Sequence, residues 1–241
     1  MYEVIQIMPH VYQLHFAKAY DLAMHFIRMQ EYYESPKFRR RIFTLVEYME
    51  WYSEERGKGA FTYPKDWTGF NVPSDVAHEV YKSSCAIPDF NKYDERMYRI
   101  IDHLTYDEVR RAHLDSRILE PHERELPKFY LIGTSEENFK KNEGLDDKDT
   151  LAHELAHALY YLDDEYFRAM QQQLITGMDG ETEVAARSAL LGMGYHHSVT
   201  LDEVQAYCAT GLCKELKGIV TSAERKPFQK IFKEFMGRCV K

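Results

Sequence analysis

The chain has 241 residues, 44% apolar and 29% charged, with a formal net charge of -8, which is the composition of an ordinary globular protein with a packed core. The acidic balance excludes nucleic acid as the main partner, since phosphate binding needs a concentrated positive surface, and the one dense basic run, Lys37 to Arg41, is closely followed by acidic residues. No apolar run approaches the roughly 18 residues of a membrane span, no leader is visible, and Cys85, Cys208, Cys213 and Cys239 are expected as reduced thiols of a cytoplasmic protein.

Residues 10–34 read as one helix with Phe16, Ala19, Ala23 and Phe26 on a face, stopped at Ser35-Pro36. A second helix is expected over 39–55, where Ile42, Leu45, Met49 and Tyr52 recur at helical spacing, with Gly57 and Gly59 ending it. The stretch "GAFTYPKDWTGFNVPS", 59–74, reads as a long aromatic loop, and loops of that length are more often functional than idle. Helices follow near 74–84 and 92–104, and Thr105-Tyr-Asp-Glu108 has the capping-box form that opens a further helix. The clearest strand is Phe129 to Ile132, an apolar run between Pro127 and Gly133. A helix over about 181–193 and capped starts at Thr200 and Thr221 complete the chain. No repeat or composition break marks a linker. The expectation is a single domain, 1–241, α+β and mostly helical, with a helical N-terminal lobe to about residue 125.

The segment "DTLAHELAHALYYLDDEYF", 149–167, sets His153 and His157 four apart with Glu154 beside the first. On a helix, positions four apart lie about 40° from each other, one turn along, so both imidazoles reach one point. Two such nitrogens suit a tetrahedral zinc ion. Glu154 sits about 100° round, too far to be a third ligand but placed to reach a water at the metal's open position. Neutral imidazoles leave the metal its charge, which lowers the water's pKa. The carboxylate then takes the water's proton and returns it to a leaving amine. The flanking Leu151, Ala152, Leu155, Ala156, Ala158 and Leu159 are all uncharged, which brings chance occurrence of the whole pattern to about 1%.

The run Thr150 to Leu159 resembles the signature of the zincin metallopeptidases, with Thr150 where Val or Thr is usual. The resemblance implies a zincin-like catalytic core in about 126–241, with the histidine helix following a short sheet, one Zn2+ per chain on His153 and His157, and Glu154 as general base. The metzincin extension would need a glycine at 160, which is Tyr160, and would use Asp163; without that glycine the helix should run on and carry Asp163 off the metal face. The gluzincin arrangement takes a glutamate from a later helix instead. Glu183 shares a stripe with Ala186, Leu190 and Met193, so its charge points at the core unless something compensates it. Glu183-Val-Ala-Ala186 also resembles the Glu-x-x-Ala form of gluzincin helices, and Glu181, on a more exposed first turn, is the rival. The family usually adds a proton donor for the oxyanion, for which Tyr195, His196 and His197 are candidates. "FYLIG", 129–133, would match the edge strand that pairs with an extended peptide.

The sequence therefore predicts a soluble zinc metallopeptidase of gluzincin type, acting on a peptide or protein substrate, with no nucleic-acid or membrane partner. Two rivals stand beside it: a non-catalytic or regulatory protein retaining the metal site, and a helical interaction protein without metal.

Overall fold

The computed structural model describes residues 2–83, 86–115, 126–141 and 147–239. Among them the fold is α+β and mostly helical, with eleven helices and one small mixed sheet. The chain opens on an antiparallel hairpin, β1 (Tyr2–Met8) and β2 (Val11–Phe16), and only Ala19–Glu34 is helical (α1). The single helix predicted over 10–34 is thus corrected. Buried Tyr12, Leu14 and Phe16 alternate with half-buried Gln13 and His15, the period of a strand, but the run is six residues long and Phe16 falls three before Ala19, so it merges with the apolar stripe of α1. Ser35 does end α1, adopting an extended backbone before Pro36.

Helix α2 (Leu45–Glu55) starts where Thr44 accepts a hydrogen bond from the Glu47 backbone. The aromatic stretch is not an open loop. It folds into a short helix, α3 (Tyr63–Asp66), and an edge strand, β3 (Gly69–Pro73). Helices α4 (Ser74–Lys82) and α5 (Lys92–Asp115) follow. Helix α5 runs straight through Thr105, which bonds the His78 ring instead, while Glu108 is buried as the acceptor of His10 and Tyr12.

The strand read from the sequence is β4 (Tyr130–Ser135), every residue of it buried. The sheet order is β1-β2-β4-β3, with β4 parallel to β2 and antiparallel to β3. β4 is therefore an interior strand and cannot be the substrate-pairing edge. Its two faces divide the core: Phe129 and Leu131 pack with α1 and its neighbours, Tyr130 and Ile132 with the C-terminal helices. Gly133 lets α1 come close, since a Cβ there would stand 2.7 Å from Leu22 Cδ1. The N-terminal residues expected as a helical lobe thus supply three of the four strands.

After α6 (Glu136–Lys141) come α7 (Asp147–Leu162), α8 (Asp164–Gly177), α9 (Gly180–Met193), α10 (Thr200–Thr210) and α11 (Ser222–Cys239). Helix α7 does not run on past Leu162, because Asp163 turns its carboxylate to the Glu165 and Tyr166 backbone amides and caps α8. α7 lies against the sheet and packs on its outer side with α10, which α11 supports. The start at Thr221 is capped as read, by reciprocal bonds with Glu224. Among the described residues no helix is long and apolar enough to cross a membrane. Cys208, Cys213 and Cys239 are free thiols, and Cys85 lies outside the described residues.

Candidate metal centre

On α7 the apolar positions Leu155, Ala158 and Leu159 bury against neighbours, and that packing fixes how the remaining face points. His153 and His157 leave this face together, their Nε2 atoms 3.2 Å apart. Opposite them α10 presents Glu203, whose Oε2 lies 3.5 Å from His153 Nε2 and whose Oε1 lies 3.5 Å from His157 Nε2. These three residues form a group that can hold a metal ion. Glu203 is 2% exposed, and its Oε2 takes no hydrogen bond among the described residues. A buried carboxylate oxygen without a donor is costly unless a cation serves it.

The ring nitrogens turned away from this point are engaged. His157 Nδ1 bonds Asp202 Oδ1 at 2.8 Å. Asp202 is held in turn by Gln205 Nε2 at 2.9 Å, and the Gln205 oxygen accepts from the Tyr166 hydroxyl at 3.1 Å. Thr210 donates its hydroxyl proton to Ala206 O, so it faces His153 Nδ1, at 3.5 Å, as an acceptor. Both imidazoles are thereby set as Nδ1–H tautomers with Nε2 lone pairs aimed at one another and at a carboxylate, an arrangement that repels itself until a metal or a proton stands between.

Charge follows the same logic. Burial alone would lower His157 and raise Glu203, but on His157 the Asp202 carboxylate, and after it Glu203, outweigh burial, and on Glu203 His157 and His153 do. His157 is held well above the usual histidine range and Glu203 below the usual carboxylate range. A proton there competes with a metal ion for the same nitrogen.

Glu154 is 6% exposed and turns toward β3. Asn71 Nδ2 donates to its Oε2 at 2.9 Å, and the Tyr130 hydroxyl fixes the Asn71 oxygen at 2.7 Å. Burial raises the Glu154 carboxyl, and the two histidines and Asn71 only partly draw it back, so it is a stronger base than an ordinary glutamate. Gly69 makes this fit possible: a Cβ at that position would stand 2.8 Å from Glu154 Oε1. A cleft of about 530 Å³ opens beside the group, walled by Glu34, Trp67, Tyr195, Tyr207 and Leu212.

The structure brings together His153, Glu154 and His157 but not Glu183. Glu183 lies in the first turn of α9, paired with Arg187 Nη1 at 3.1 Å; its stripe through Ala186 and Leu190 is real, but its charge is met by a neighbour on its own helix. Glu181 is exposed on the same turn. The carboxylate that joins the two histidines in the group able to hold a metal ion is Glu203. A signal for it exists, since Glu203-Val-Gln-Ala206 repeats the form of Glu183-Val-Ala-Ala186, and Ala206 is fully buried. Of the three donor candidates only Tyr195 reaches the cleft, its hydroxyl 3.3 Å from that of Tyr207. His196 bonds Ser198 and His197 is exposed. No family model matches this chain, and neither does a curated protein or a solved structure.

Proposed function

We propose that this chain is a zinc-dependent peptidase of the cytoplasm, with the ion held by His153, His157 and Glu203. The observation that carries this reading is the convergence of the two imidazole Nε2 atoms, 3.2 Å apart, on the Glu203 carboxylate, which sets one oxygen 3.5 Å from each, so that one donor atom from each residue lies within 4.8 Å of the others. Donors about 2.0 to 2.2 Å from a tetrahedral zinc stand about 3.3 to 3.6 Å from each other, the scale of these separations. Two nitrogens and one carboxylate also suit zinc better than a hard cation such as calcium or magnesium.

Bound there, zinc supplies Lewis acidity to a substrate carbonyl and acidity to water. The protein's own residues do the rest. Glu154 takes the proton of the attacking water and returns it to the leaving amine. Asn71 keeps Oε2 of that carboxylate engaged, leaving Oε1 for the reaction. The Tyr195 and Tyr207 hydroxyls, at the cleft wall, are the donors for a developing oxyanion. Asp202 orients His157 through Nδ1.

A purely structural metal is closed by four protein ligands. Here three donors converge beside an open cleft, and Glu154 has work only in catalysis. The test pairs elemental analysis of the purified protein with cleavage of a diverse peptide mixture by the parent and by Glu154→Gln. One zinc per chain in both and cleavage by the parent alone is the expected result. Absence of bound metal, or equal cleavage by both, rejects it.

A further inference from the structure

The cleft beside the candidate metal centre is bounded on the α1 side by Gln30 and Glu34. Gln30, on α1, accepts a hydrogen bond from the Asn71 backbone N–H at 3.2 Å. The outward edge of β3 is therefore occupied at Asn71 and cannot pair there with an extended chain. The Gln30 amide continues to Glu34 Oε2 at 2.7 Å. The backbone behind Glu34 is held in place: the His196 backbone N–H donates to Glu34 O at 3.0 Å, and Arg56 donates to Met193 O at 2.8 Å. A peptide lying along β3 thus meets the Gln30 and Glu34 side chains of α1 at Asn71.

Charge decides which end of a peptide fits. Glu34 is 9% exposed and lines the cleft. Among the described residues it forms no ion pair, and its carboxylate takes one hydrogen bond, from Gln30. Glu154 lines the same cleft. At Glu34 a terminal carboxylate would meet only another carboxyl group, whereas an ammonium would give Glu34 the donors and the countercharge it lacks.

We propose that the cleft takes peptides by their free α-amino end, with Glu34 receiving the ammonium and Gln30 closing the strand edge behind it. The protein is then an aminopeptidase, an assignment that rests on the peptidase reading above. The bond broken is the first peptide C–N bond. Water gives its hydroxyl to the carbonyl carbon and its proton, by way of Glu154, to the nitrogen that leaves.

The probe is a synthetic pool of random tetrapeptides and the same pool N-acetylated, offered to zinc-loaded full-length Glu154→Gln protein in equilibrium dialysis with mass-spectrometric readout. Free-amine peptides should be retained about 10- to 100-fold more tightly than acetylated ones. The preference should disappear in Glu154→Gln carrying Glu34→Gln, an isosteric change, with zinc content unaltered. Gln30→Ala, which frees the strand edge, should narrow it. Equal retention of both pools, or a preference that survives Glu34→Gln, overturns the proposal. So does retention of acetylated peptides only when they contain lysine or arginine, because the cation would then be a side chain. Equal retention together with cleavage of internal bonds by the parent would leave the peptidase reading standing and remove this one. No retention and no cleavage would remove both.

Discussion

Asn71 donates its side-chain amide to Glu154 Oε2 at 2.9 Å, while the Tyr130 hydroxyl donates to the amide oxygen at 2.7 Å. A tyrosine O–H leaves that oxygen one role, so the amide N–H is committed to Glu154 and cannot flip away. Asn71→Ala is expected to lower kcat about 10- to 100-fold with zinc content unchanged. Tyr130→Phe should produce a smaller loss in the same direction. Steady-state kinetics beside metal analysis checks both, and an unchanged kcat removes Asn71 from any role in positioning the base.

Gly69→Ala approaches the same carboxylate from its other oxygen. The new methyl would lie 2.8 Å from Glu154 Oε1 and 3.0 Å from Thr150 Cγ2, closer than carbon and oxygen tolerate, so Glu154 must shift. Turnover should fall sharply while the two histidines keep the metal. Full activity in this variant would show that the carboxylate moves without cost.

Glu203→Gln and Glu183→Gln separate the two acidic candidates. The first takes a charged donor from between His153 and His157 and should release zinc under chelator challenge that the parent resists. The second breaks a half-exposed pair with Arg187, worth at most about 1 kcal/mol, and should leave metal retention alone. The opposite result would restore the ligand to α9.

Asp202→Asn keeps the shape of the group that receives His157 Nδ1–H but weakens its pull. Zinc affinity should fall about 10- to 100-fold, read by competition with a chromophoric chelator. Gln205 can rotate to bond the new amide, so the fold should melt close to the parental temperature.

Glu31 supplies a pH test away from the centre. Burial pushes its carboxyl up to about 7, and the neighbouring Tyr63, Tyr48 and Ser35 hydroxyls and Arg56 only partly counter this. A folded-state value above the unfolded one means that the proton stabilises the fold. The contribution is complete below about pH 4.5 and is lost as the pH rises through 7. Glu31→Gln should therefore gain on the parent by up to about 3 kcal/mol between pH 4.5 and 8, measured by urea unfolding of the metal-free proteins. A difference that stays flat with pH would mean that Glu31 is ionised throughout.

The histidine helix, the interior strand and the later helices were legible because each carries its own signal: His153 and His157 four apart, an unbroken apolar Phe129 to Ile132, Thr221 three before Glu224. The hairpin was hidden because the six-residue alternation of β2 runs almost directly into the apolar stripe of α1, and β3 because five residues within an aromatic stretch have no period to read. Glu203 was hidden by its position. It stands three residues after Thr200, where a capping box would place it, yet the Thr200 hydroxyl bonds His197 O and leaves Glu203 to the histidines. That choice is made by the packing of α10 on α7, which local sequence does not express.

β2 and β4 are neighbours in the sheet, with Val11 beside Tyr130, but α1 to α5 are all made between them. During synthesis the hairpin emerges well before β4 and must wait with the inner edge of β2 unpaired. Closing so long a loop comes late and favours slow folding. The cleft needs β3, α1, α7 and α10 together, so no truncated chain that stops before α10 completes the His153, His157 and Glu203 group. A nascent chain released early would be an open, strand-edged intermediate, a substrate for chaperones.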